Sequence, residues 1–113
     1  MELTGKAKEQ FEEWYKLNYE AIGLPSIDDE FYLSGFYELP ESMQFGIYVD
    51  FADSVGMLID TDVVWEVIAL NENVYEYTIK NKQELLVLGD GFAYTRREAR
   101  ELAVNKLNQI INN

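Results

Sequence analysis

Two acidic clusters, Asp28-Asp29-Glu30 and Asp60-Thr61-Asp62, carry the oxygen donors that Mg²⁺ or Ca²⁺ would need. Neither has the spacing of an EF-hand loop. A chain with 21 acidic residues forms such clusters by composition alone, so no metal and no cofactor is expected. Asp50 and Asp53 would share a face of a helix, where paired carboxylates can do acid–base work or simply form its solvent edge. Gly89-Asp90-Gly91 lacks the glycine spacing and the lysine of a phosphate loop and reads as a turn. Arg96, Arg97 and Arg100 stand in the opening turns of a helix, against its dipole. Such arginines serve a phosphate or a partner's carboxylate, or they pair with nearby acids such as Glu98 and Glu101. There is no histidine and no cysteine. The commonest general base, the commonest transition-metal ligand and all thiolate chemistry are therefore missing. No nucleophile–base arrangement replaces them, and the expectation is a binding protein, not an enzyme.

The acids are unevenly spread. The formal net charge is −12, yet no Lys or Arg occurs between Lys16 and Lys80. That stretch holds Glu20, Asp28, Asp29, Glu30, Glu38, Glu41, Asp50, Asp53, Asp60, Asp62, Glu66, Glu72 and Glu76, while the two ends are close to neutral. Such a field repels nucleic acid and anionic membranes and attracts basic partners. Twelve of these acids, all but Glu20, are the candidate partner-binding residues, with Arg96, Arg97 and Arg100 as a second set. The competing expectation is that the terminal bases fold back and neutralise them.

Carboxylates act only where elements hold them. A length of 113 residues with 48% hydrophobic and 14% aromatic residues predicts one domain, 1–113, with a real core. Thr4 is placed to cap a first helix whose apolar stripe is Ala7, Phe11, Trp14, Leu17 and Ala21, widened by Tyr15, Tyr19 and Ile22. Gly23 and Pro25 would stop it. Residues 24–40 read as a connector packed down by Phe31, Tyr32, Phe36 and Tyr37. Residues 41–55 alternate as a strand would, but Ser42, Gly46, Asp50 and Asp53 form a helical polar stripe, with Pro40 before it and Gly56 after. A mostly buried helix fits better. The Val- and Ile-rich run 56–70 gives a strand or a bent pair. Asn71-Glu72-Asn73 turns, Val74 to Ile79 form a second strand, Asn81-Lys82 turns again, and Glu84 to Leu88 form a third that Gly89-Asp90-Gly91 ends. Thr95-Arg96-Arg97-Glu98 is a capping box for a last helix, with an apolar face of Ala99, Leu102, Ala103, Leu107 and Ile110. The sum is an α+β fold: helices at both ends and in the middle, packed on an antiparallel meander of three to four strands, in the order ααβββα.

Three stretches, LTGKAKEQFEEWY, FYELPESMQFGIYVDFADSVGM and YTRREARELAVNKLNQIINN, together resemble a group of small proteins carried by tailed phages and prophages. The resemblance covers about half of the chain. It implies an origin, a phage accessory protein acting in an infected bacterium, and assigns no residue a role. The segment LGDGFAYTRREARELAVNKL is similar in rhythm to the close of a double-stranded-RNA-binding domain. That likeness implies a shared strand-to-helix topology, since the acidic balance and the tight turn at 71–73 oppose RNA binding.

The opening MELTGKAKEQ has neither the apolar region nor the cleavage site of a signal peptide, and no run approaches a membrane span. A cytoplasmic protein is expected, in the bacterial host cell if phage-encoded. The leading expectation is an acidic module that occupies a basic, nucleic-acid-handling host or defence protein by mimicking nucleic-acid charge. The alternatives are a self-associating accessory protein, with the meander edge or the aromatic connector as its interface, and a small carboxylate-dependent enzyme.

Overall fold

A computed structural model describes residues 2–19, 29–67 and 72–113 of the chain. Four helices and three strands follow in the order α1 (Gly5–Tyr19), α2 (Asp29–Tyr37), α3 (Glu41–Ser54), β1 (Met57–Val67), β2 (Glu72–Asn81), β3 (Val87–Ala93) and α4 (Arg96–Asn112). The strands form one antiparallel sheet in the order β1-β2-β3. The class is α+β, as composition and periodicity predict.

Residues 41–55 are settled as a helix. Phe45, Tyr48, Phe51 and Ala52 are buried on one side of α3, and the polar stripe Ser42, Gly46, Asp50 and Asp53 is exposed on the other. Beyond Ser54, Gly56 adopts φ +88° and its amide donates to the Asp53 carbonyl. This is the left-handed step that a glycine permits after a helix.

The connector needs correcting. Its second half is α2, a helix of nine residues, and the order is αααβββα. Phe36 drives this: it is fully buried against Phe11, Tyr15 and Tyr48, with ring centroids 4.9–5.4 Å away. Gln44 then ties α2 to α3 by donating to the Tyr37 and Leu39 carbonyls, the acceptors left over where α2 ends. The stop at Gly23 and Pro25 lies outside the described residues, as do Ala21 and Ile22. Leu17, placed on the apolar stripe of α1, is instead 69% exposed.

Phe11 is the centre of the core. Its ring lies 4.8–6.1 Å from those of Trp14, Tyr15, Phe36, Tyr48 and Phe51, an aromatic cluster shared by the first three helices. Met57, Ile59, Tyr77 and Ile79 bring the sheet to it, and Ala103, Val104 and Leu107 bring α4. The buried strand residues are odd-numbered, as the period of two requires. The helices therefore cover the odd face of the sheet.

The third strand also departs from expectation. It begins at Val87 and runs through Gly89, Asp90 and Gly91 to Ala93. The two glycines do not break it. A β-carbon on Gly91 would lie 2.6 Å from the Tyr77 ring, and one on Gly89 would lie 2.6 Å from the Lys106 side chain. They are glycines because neighbours cross the strand closely. The turn expected at 71–73 shifts as well. Glu72 and Asn73 already pair with Val67 and Glu66, and Asn71 lies outside the described residues.

Thr95 accepts from the Glu98 amide at 3.1 Å, the N-cap half of the expected capping box; among the described residues the Glu98 side chain makes no return bond to the Thr95 amide. The start of α1 is built differently. Thr4 turns its hydroxyl to Asn108. The oxygen that accepts from the α1 amide of Ala7 is Asn112 Oδ1, from the far end of α4. Asn112 Nδ2 donates in turn to the Thr4 carbonyl, and Asn108 Oδ1 accepts from the Thr4 amide. Gly5, at φ +57°, lets Asn112 approach.

Candidate functional site

From Met57 to Val63 of β1, along β2, and from Gly89 to Ala93 of β3, between the register shifts, the even-numbered residues face away from the helices. Register places them in cross-strand rows: Asp60 beside Thr78 beside Asp90, and Asp62 beside Glu76 beside Phe92, with Leu58 beside Lys80 at one end. Four carboxylates thus stand on one sheet face. Neighbours along β1 are about 6.7 Å apart, and those across strands about 5 Å. Asp62 directly opposite Glu76 is a like-charged pair, which destabilises a sheet. Thr78 Oγ1 steadies Glu76 by donating to Oε1 at 3.1 Å. Among the described residues no base lies within ion-pair distance of Asp60, Asp62, Glu76 or Asp90.

The acidic surface continues around the edge of the sheet. A hollow of about 270 Å³ beside β1 is lined by Asp50 and Asp53 of α3, together with Leu58 and Asp60. A second, of about 280 Å³, holds Asp60, Asp62, Glu76 and Thr78. Asp60 belongs to both, so the strip runs unbroken from the end of α3 onto the open face. Lys82 meets it at one point, 2.6 Å from Asp53. At the other end of the face a larger hollow, of about 400 Å³, is lined by Val74, Phe92, Ala93 and Tyr94.

The remaining candidates separate. Glu41 is taken up inside the fold: it accepts from Arg100 at 2.9 Å, both side chains largely covered, while Glu41 Oε1 is buried without a hydrogen bond. Glu38 is exposed between α2 and α3, away from the strip. Asp29 and Glu30 open α2, while Glu66 and Glu72 hold register positions near the far end of the β1–β2 pair. Asp28 and Glu20 lie outside the described residues. The three arginines each have an internal neighbour. Arg96 lies over the Tyr75 ring at 5.6 Å, Arg97 bonds Glu101 at 3.4 Å, and Arg100 holds Glu41 and covers Phe45. Pairing with an acid, one of the two readings of these arginines, is seen for Arg97 with its neighbour Glu101 and for Arg100 with the distant Glu41.

Asp90 is the site residue that sequence reading left out. It sits in a segment read as a turn, and only the continuation of β3 brings it beside Thr78. Its charge, with burial first, pushes the Tyr77 phenol up from its ordinary pKa. Among the described residues no group of three or more acids is arranged to hold a metal ion, and no helix is long and apolar enough to cross a membrane. Comparison of the chain with protein-family models, with curated proteins and with solved structures finds no match.

Proposed function

We propose that this chain is a binding module of phage type whose open sheet face occupies a basic surface of a protein that handles nucleic acid. The observation that carries the reading is the strip Asp50, Asp53, Asp60, Asp62, Glu76 and Asp90, in which, among the described residues, only Asp53 meets a base. Folding gains nothing from setting Asp62 opposite Glu76, so the pair is a cost that binding would offset. Carboxylates spaced at 5–7 Å by the sheet offer a basic groove a row of charges comparable to a phosphate backbone. The apolar hollow at Phe92 and Tyr94 supplies an anchor beside the charge. The reading is one of binding, in the bacterial cytoplasm, without cofactor or catalytic step.

Capture from bacterial lysate at low and at moderate salt tests it. The expected result is one basic, nucleic-acid-handling protein, retained by the wild-type chain and lost with Asp62→Lys. The same substitution turns a repulsive cross-strand pair into an attractive one and should stabilise the fold by about 0.5–1 kcal/mol in thermal melts. Failure to recover such a partner at either salt, or equal recovery by the variant, overturns the proposal.

A further inference from the structure

The two edges of the sheet are treated differently. Beside β1 stand Asp50, Asp53, Asp60 and Asp62, and charge on an edge discourages another strand from pairing there. β3 is the opposite edge and carries one acid, Asp90. The turn that leads into it ends in Leu85 and Leu86, the strand opens with Val87 and Leu88, and Tyr94 follows it; these five are between 38% and 72% exposed. Leu85 adopts φ +57°, a left-handed conformation that Asn or Gly takes at less cost. A strained backbone that displays leucine to solvent points to a use for that leucine.

We infer that β3 is the interface of a homodimer, in which two copies pair their β3 edges antiparallel about a two-fold axis and join their sheets into one of six strands. Charge selects the second copy as the occupant. In such a pairing the start of one β3 meets the end of the other, so Glu84 approaches Arg96 and Arg97 of the second copy while the Leu86–Leu88 segment approaches Tyr94. The stretch from Glu84 to Arg97 carries two acids and two bases, making it locally neutral in a chain of net charge −12. It is a part of the surface where two such chains can meet without repulsion. A two-fold axis makes every such contact occur twice. The inference rests on observations other than those behind the partner proposed above; the two surfaces share Tyr94, at the end of β3.

Light scattering of the full chain from micromolar to millimolar concentration tests it. The expected mass rises from monomer to dimer. Leu86→Lys with Leu88→Lys should weaken association by at least about tenfold while leaving the circular dichroism and the cooperative melt in place, since both side chains are exposed. Glu84→Lys alone, and Arg96→Glu with Arg97→Glu alone, should each weaken it. Mixing those two charge variants should restore a dimer containing one of each, because every contact then joins opposite charges. A monomer at all concentrations overturns the inference. So does a dimer that ignores the leucine changes, which would place the interface elsewhere, or a mixture that associates no better than its parts, which would exclude this antiparallel arrangement.

Discussion

Tyr48 is wholly buried and Tyr37 half-buried, with Glu12 beside the Tyr37 hydroxyl. Burial, and then the negative charge of Glu12, pushes the Tyr37 phenol up to about 12. Burial pushes Tyr48 higher still. The folded state therefore holds these protons after the unfolded chain, near its ordinary value of about 10, has begun to lose them. Below about pH 10 both states are protonated and the stability is fully present; it falls as pH rises from there toward the folded values. Melting temperatures measured from pH 8 to 11.5 should be level and then drop. Tyr37→Phe combined with Tyr48→Phe should flatten the drop; an equal drop in the variant would show that other groups cause it. At this scale much was legible in the sequence. The aromatic residues announce a core, and Asp50 and Asp53 fall on the exposed stripe that their spacing implies. Glu41 was not legible as a structural residue, because its partner Arg100 lies 59 positions away and only packing brings them together.

The helices at the two ends show what an element's own sequence can and cannot specify. The cap of α4 is local: Thr95 and Glu98 are three apart, and the pattern is visible in four residues. The cap of α1 is not. Thr4 has the right type and place, but the oxygen that serves the helix comes from Asn112. Asn112→Ala should remove the bonds to Ala7 and Thr4 and destabilise the fold by roughly 1–2 kcal/mol, whereas Thr4→Ala should cost less. Urea titration of both variants compares them; the reverse order would mean that Thr4 is the true cap. The strands divide in the same way. The sheet's order and the apolar alternation of β1 and β2 follow from the sequence. β3 was misplaced because glycine is read as a breaker, and only the neighbouring Tyr77 ring and Lys106 stem reveal why glycine stands inside this strand. The acidic strip inherits that limit: its β1 and β2 members could be named in advance, whereas Asp90 waited on the register.

Over the whole molecule, most of the described acids of the base-free half are not neutralised by the basic ends. Of its carboxylates, Asp53 and Glu41 find ion pairs among the described residues, and the rest of the strip repels itself. Screening should therefore stabilise the fold: raising sodium chloride from about 10 mM to 500 mM shortens the Debye length from about 30 Å to under 5 Å and should raise the melting temperature by several degrees. A temperature that falls or stays level would mean that attractive pairs balance the repulsion. The same salt should weaken capture of a basic partner, so stability and binding move in opposite directions. The cap supplied by Asn112 has its own consequence for the order in which the molecule is made. α1 leaves the ribosome before α4, and the residue that completes its first turn is synthesised about 100 residues later. At about 5–20 residues per second that is a wait of some 5–20 s. Until then Phe11 already has Phe36, Tyr48 and Phe51 to pack against, but the Ala7 amide lacks its acceptor, and the last turn of α4 acts as the clasp that closes the fold.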